Sequence, residues 1–271
     1  MKPRRQRGTL WLARAGYAGR GVVFLILGGF AGWAALGHAS RPVGTTGALH
    51  SLLATPAGWT LAAPTVIGLV CFAAFRALEA IADLHGYGDD LYGALHRAAL
   101  AAGGLFYAGL AAVAASIVLG WDVARSDDAT VRDWTAWLLG MPGGGILVAI
   151  AGFATVATGV GLVVSALRQT FKQRVRLEPK PRPYVTAIGI VGMVARAVVF
   201  LLVGAFLVFA AVTSDPQQAE GFSGALATIE QQPYGRPLLG ATAMGLIAFG
   251  LFGVSEALFA VPERKQKKRR R

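Results

Sequence analysis

Five ionisable residues stand inside or at the border of long apolar runs: Arg20, Arg76, Glu79, Arg196 and Glu256. An intramembrane charge is costly, so each needs an opposite charge or a wet surface. Arginine and carboxylate at one depth can form a bidentate pair suited to a low-dielectric edge. Such pairs have two uses: a polar gate or headgroup site at the mouth of a cavity, or a clamp that fixes helix register. The clamp is the simpler of the two. Elsewhere the chain offers little chemistry. The loop A-D-L-H-G-Y-G-D-D-L-Y-G-A-L-H-R holds Asp83, His85, Asp89, Asp90 and His96, and W-D-V-A-R-S-D-D-A-T-V-R-D-W holds Asp122, Asp127, Asp128 and Asp133. Neither has the spacing of a specific metal site, and they read as solvated loops with helix-capping aspartates. Cys71, the sole cysteine, lies in an apolar run with no base beside it in sequence. Its surroundings keep it a thiol. The glycines Gly143–Gly145 read as a turn, because the strand and lysine of a phosphate loop are missing. We expect no enzyme, no cofactor and no metal.

The elements that position these charges are apolar helices. Only 15% of the residues are charged, against about a quarter in a soluble domain. Six runs reach the length of about 20 residues that a helix needs to cross a hydrocarbon core: Gly16–Leu36, Thr60–Ile81, Ala98–Leu119, Gly144–Leu167, Thr186–Val212 and Leu238–Val261. The runs are continuous rather than alternating, which excludes a barrel. With the N-terminus inside, only Arg41, Arg125, Arg132 and Arg236 of the 26 Lys and Arg face outward. This positive-inside bias puts both termini in the cytoplasm. Trp33, Trp59, Trp121, Trp134 and Trp137 all fall at the outer ends, as an interfacial belt does. M-K-P-R-R-Q-R before an apolar run resembles a signal peptide. The same run recurs deep in the chain, so it is expected to stay as a helix.

That recurrence is general. R-G-V-V-F (20–24) matches R-A-V-V-F (196–200), T-G-A-L (46–49) matches S-G-A-L (223–226), and T-P-A-G (55–58) matches Q-P-Y-G (232–235). F-R-A-L-E-A (75–80) matches F-G-V-S-E-A (252–257), and M-P-G-G (141–144) marks a weaker middle copy. The landmarks are Gly47, Pro56, Gly58, Pro142, Gly144, Gly224, Pro233 and Gly235. The division is a basic N-terminus (1–15), repeat 1 (16–84), a divergent repeat 2 (95–170), a basic linker (171–185), repeat 3 (186–261) and a polybasic tail (262–271). Two spans per unit keep the units parallel, with any symmetry axis along the membrane normal. The expected fold is all-α integral membrane: six spans from three two-helix repeats in a pseudo-threefold bundle. Ala48, Leu49, Leu52 and Leu53 form an apolar stripe at helical spacing, as do Ala225, Leu226 and Ile229, and Trp134, Trp137 and Leu138. Short helices lying in the outer interface would carry such stripes, with the prolines at re-entry.

The threefold two-helix repeat, with R-G-V-V-F, G-A-L, P-x-G and a closing Glu-Ala, resembles the bacterial membrane family known as domain of unknown function 1206. The resemblance implies a multi-pass protein of the bacterial inner membrane and brings no biochemical activity with it.

Depth then pairs the charges. Arg20 lies eight residues inward of Gly28, and Glu79 eight residues inward of Cys71, each roughly 12 Å from mid-plane at 1.5 Å rise per residue. Arg196 and Glu256 repeat this, whereas the middle unit has Gly103 and Ser165 there. Both charges vanish together, so the expected pairs are Arg20–Glu79 and Arg196–Glu256, within units or exchanged between them. Arg76 is expected to snorkel to headgroups. Near mid-plane there is no Asp, Glu, His or Lys, and the polar side chains are Tyr107, Thr155 and Thr158 with the flanking Ser116 and Thr242. Coupled carriers show charge or broken helices there. Gly28–x3–Gly32, Gly104–x3–Ala108 and Ala241–x3–Gly245 suit close helix approach. Lys267, Lys268, Arg269, Arg270 and Arg271 suit contact with anionic lipid rather than nucleic acid. The expected function is a non-enzymatic scaffold or envelope component contacting lipids, partner helices or its own copies. The alternative is a channel or a carrier of a small amphipathic or lipid-like molecule along the bundle axis.

Overall fold

The apolar runs become helices because a span in hydrocarbon must satisfy every backbone polar group internally. The computed structural model describes residues 3–39, 41–53, 55–82, 88, 90–121, 126–169 and 183–259. Six helices are long and apolar enough to cross a membrane: α1 (Pro3–Ala35), α3 (Pro56–Ala82), α4 (Leu91–Val118), α6 (Gly144–Leu167), α7 (Pro183–Thr213) and α9 (Gly235–Phe259). Between the two spans of each unit lies a connector helix: α2 (Thr45–Leu53), α5 (Asp127–Leu139) or α8 (Phe222–Glu230). The connectors share one end of the molecule, and the N-terminus starts from the other. Exposed Trp33, Trp121, Trp134 and Trp137 gather at the connector end.

The spans pack side by side in the order α4, α3, α1, α9, α7, α6. Glycine permits the closest approaches. A Cβ on Gly19 would stand 2.6 Å from the Gly68 backbone between α1 and α3, and one on Gly28 2.9 Å from the Ala243 carbonyl oxygen between α1 and α9. Gly152 and Gly204 do the same between α6 and α7, and Gly245 meets Ala195 between α9 and α7. The small-residue spacing at Gly28 and Gly245 thus has the use the sequence suggests. The last interface of a closed ring is missing. The two spans of the middle unit, α4 and α6, do not pack along each other. The six helices form an arc with one open side, where the sequence suggested a closed threefold bundle.

The P-x-G landmark has a steric cause. A Cβ on Gly58 would fall 1.9 Å from the Leu52 carbonyl oxygen, one on Gly144 1.7 Å from that of Leu138, and one on Gly235 1.6 Å from that of Glu230. In each unit the end of the connector presses on the first turn of the returning span, and only glycine fits. The connector stripes differ in destination. Ala48, Leu49 and Leu53 on α2, and Ala225, Leu226 and Ile229 on α8, are buried in the protein core. On α5, Trp134 and Trp137 remain exposed. Only α5 therefore keeps its stripe facing outward; α2 and α8 turn theirs against the spans, where interfacial stripes were expected.

Candidate functional site

The ionisable groups of the spans meet near the terminal end, on the concave side of the arc. Arg20 on α1 makes a buried ion pair with Glu256 on α9. Its guanidinium also sits 5.0, 5.2 and 4.9 Å from the ring centres of Tyr17, Phe72 and Phe249. Glu79 is 2.9 Å from Arg76, one turn earlier on the same helix. Arg76 therefore does not reach out for headgroups as its place in the sequence suggested. Its guanidinium lies over the Phe72 ring and its side chain is only 18% exposed.

Of the two expected arrangements, Arg20 follows the exchanged one and takes the carboxylate of the third unit. Arg196 has no carboxylate within ion-pair distance among the described residues. Three rings hold it instead: Phe24 at 5.1 Å, Phe200 at 4.8 Å and Phe249 at 4.9 Å. A desolvated cation over an aromatic face gains about 2 kcal/mol. The residue is half-buried, so it carries only part of the several kcal/mol that burying an ion costs. Arg196 faces the phenol of Tyr107 on α4 within reach of a guanidinium–phenol contact, yet neither the Tyr107 hydroxyl nor the Arg196 Nε has a partner in full hydrogen-bond geometry among the described residues.

Around these cations the rings form a chain across the interior. Phe72 meets Tyr107 edge-on at 4.6 Å, Phe24 meets Phe249 at 4.8 Å, and Phe222 on α8 lies 6.3 Å from Phe24 and 5.9 Å from Phe200. Arg20 bridges the two halves by lying over both Phe72 and Phe249. Five spans and one connector contribute to this plug. Phe24, Phe72, Phe249 and Tyr107 are each at most 3% exposed.

The connector end carries a second polar construction. Ser126 caps its own helix by accepting from Ala129 N at 3.1 Å, so the next two aspartates are free to reach elsewhere. Asp127 accepts from the backbone N–H of Thr45 and Thr46 and from the Thr45 hydroxyl, at the start of α2. Asp128 accepts from Gly221 N at 2.7 Å, Ser223 Oγ at 2.7 Å and Gly224 N at 3.0 Å, at the start of α8. One doublet thus satisfies the orphan donors of two foreign helix N-termini, where a negative charge is favoured. Gly44 is required there, since a Cβ would fall 2.0 Å from Asp127 Oδ2. Arg132 pairs with Glu220 at 3.3 Å beside a cleft of about 690 Å³ that Arg41 and Glu230 also line. Asp215 caps a 3-10 turn nearby (Pro216–Gln218). Hydrogen bonds from the Gln218 amide and Gln217 N–H hold its carboxyl below the usual range.

The sequence marked Asp127 and Asp128 as capping residues, yet not that they cap other units. The G-x-x-G shared by 44–47 and 221–224, opposite an Asp doublet in the middle unit, is the signal that identifies them. Asp90 caps α4 through Gly93 N at 2.9 Å. Asp83, His85, Asp89, Asp122, the linker 171–182 and the tail from Lys267 to Arg271 lie outside the described residues. No three His, Cys, Asp or Glu come together in metal-binding range among the described residues.

Long apolar spans, short connectors and a charged cluster within the helices define a multi-pass helical membrane protein. The chain belongs to the family described as Domain of Unknown Function (DUF1206), whose model matches residues 15–83, 98–169 and 191–260, one segment for each two-helix unit. The uncharacterized protein YxxB of Bacillus subtilis (strain 168) is 30% identical over 249 residues, which cover 91% of this chain and 89% of that protein. No solved structure matches the chain.

Proposed function

We propose that this protein is a non-enzymatic component of the bacterial cytoplasmic membrane, with both termini inside, that holds lipid or a partner helix along its open side. The observation that carries the reading is the aromatic plug. Phe24, Phe72, Phe249 and Tyr107 occupy the interior where a channel or carrier needs a wet path. The clasp of α2, α5 and α8 across the connector end argues in the same direction. Solute conduction along the axis is the competing reading. Liposomes containing the full-length protein should pass potassium, chloride and glycerol no faster than protein-free liposomes. Flux above that background, lost on closing the path with a bulky substitution, would replace the holding role by transport.

A further inference from the structure

The arginine cluster is unbalanced. Arg20 and Arg76 have carboxylate partners, Glu256 and Glu79, whereas Arg196 has none among the described residues. Beside it the Tyr107 hydroxyl, on a residue only 3% exposed, and the Arg196 Nε face each other with neither in full hydrogen-bond geometry to any described residue. Both groups donate. Buried donors of this kind are seldom left unmet, and a half-buried cation with no carboxylate beside it favours a counter-charge. An acceptor with negative charge answers both needs.

The surroundings supply room and a route. One turn nearer the terminal end on α4, on the same face as Tyr107, stands Gly103, where a Cβ would meet nothing within 4 Å. This is the position at which the other two units carry Arg20 and Arg196. The side chain omitted there leaves open space on the Tyr107 face of α4. The space is reached from the flank, because α4 and α6 do not pack along each other.

We infer that Arg196 and Tyr107 form a lateral site for a phosphate-type oxyanion, entered between α4 and α6 on the terminal side of mid-plane. A guanidinium fork and a phenol hydroxyl converge well on two oxygens of one phosphate. The site rests on the lipid-holding role proposed above and narrows it to an anionic group. It is separate from the polybasic tail, whose attraction to acidic lipid is diffuse.

The test uses the full-length protein, delipidated in neutral detergent and titrated with dioleoyl phosphatidylglycerol, dioleoyl phosphatidylcholine or inorganic phosphate. Melting temperature and lipid adducts in native mass spectrometry are the readouts. Phosphatidylglycerol should stabilise the wild type and stay bound, whereas phosphatidylcholine should do neither. Arg196→Gln should weaken phosphatidylglycerol binding by roughly tenfold or more, as the loss of a charge-assisted hydrogen bond implies. Tyr107→Phe, which removes one hydroxyl from a fold that keeps its ring, should weaken it by a smaller factor, and neutralising Lys267 to Arg271 should leave the tight adduct in place. Stabilisation by inorganic phosphate alone, lost in both variants, would keep the site and make its ligand a soluble anion. Equal binding by wild type and Tyr107→Phe, or loss only with the neutralised tail, would overturn the site. If Arg196→Gln does not fold, Arg196→Lys and Tyr107→Phe carry the comparison. Absence of lipid binding with non-conducting liposomes refutes this site alone, whereas conducting liposomes refute the holding role.

Discussion

The first and third units differ from the middle one in nearly every feature that carries charge or holds helices together. The outer two place an arginine and a glutamate in their spans, bury the stripes of α2 and α8, and pack their own two spans against each other. The middle unit has Gly103 and Ser165 in place of the charges, exposes Trp134 and Trp137, and keeps α4 away from α6. Yet the middle unit is where the others are fastened. Its Asp127 and Asp128 cap α2 and α8, and its Tyr107 closes the row of rings against Phe72. The difference teaches that divergence in a repeat protein can be a division of labour. A copy released from holding its own hairpin can hold the others and leave an opening.

The sharpest way to break this comparison is at the ion pair between the outer units. Glu256→Gln leaves Arg20 buried without a counter-charge, at a cost of about 3–5 kcal/mol. The variant should melt far below wild type in detergent, and Arg20→Met with Glu256→Met should recover much of the loss. Next come the glycines that all three units share. Gly144→Ala or Gly235→Ala drives a methyl into a backbone carbonyl oxygen, and overpacking of that kind costs about 1–3 kcal/mol. Gly103→Ala, in open space, should be near neutral in the same melt. That contrast between Gly144 and Gly103 separates what the middle unit retains from what it has lost. Asp128→Ala removes an acceptor from three donors at the start of α8, and loss of a cap costs about 0.5–2 kcal/mol. Hydrogen exchange should rise at Gly221 and Gly224, with little change at Thr45, whose acceptor is Asp127. The smallest effect is expected at Tyr234, an exposed non-glycine residue at φ +62° where the middle unit has Gly143 at φ +76°. Tyr234→Gly should raise stability slightly, by about 1 kcal/mol.

The six spans and three units were legible because a hydrocarbon core demands long apolar helices, and because the P-x-G contact leaves no alternative to glycine. Which of its two candidate partners Arg20 takes was not. A repeat puts Glu79 and Glu256 at the same depth, so depth cannot choose between them; the choice is made by α1 packing against both α3 and α9, and by Arg76 claiming Glu79 locally. The stripes of the connectors were legible as stripes, but periodicity does not say whether the facing surface is lipid or protein. The trans-capping by Asp127 and Asp128 escaped because each donor lies in a different unit from its acceptor.

The central claim is that the first unit is stitched to the third through Arg20 and Glu256, which leaves Arg196 without a carboxylate. Paired double-mutant cycles in thermal unfolding test it directly: Arg20 with Glu256, and Arg20 with Glu79. A large coupling energy in the first cycle and little in the second is the expected result. Coupling concentrated between Arg20 and Glu79, or absent from both, would contradict the account.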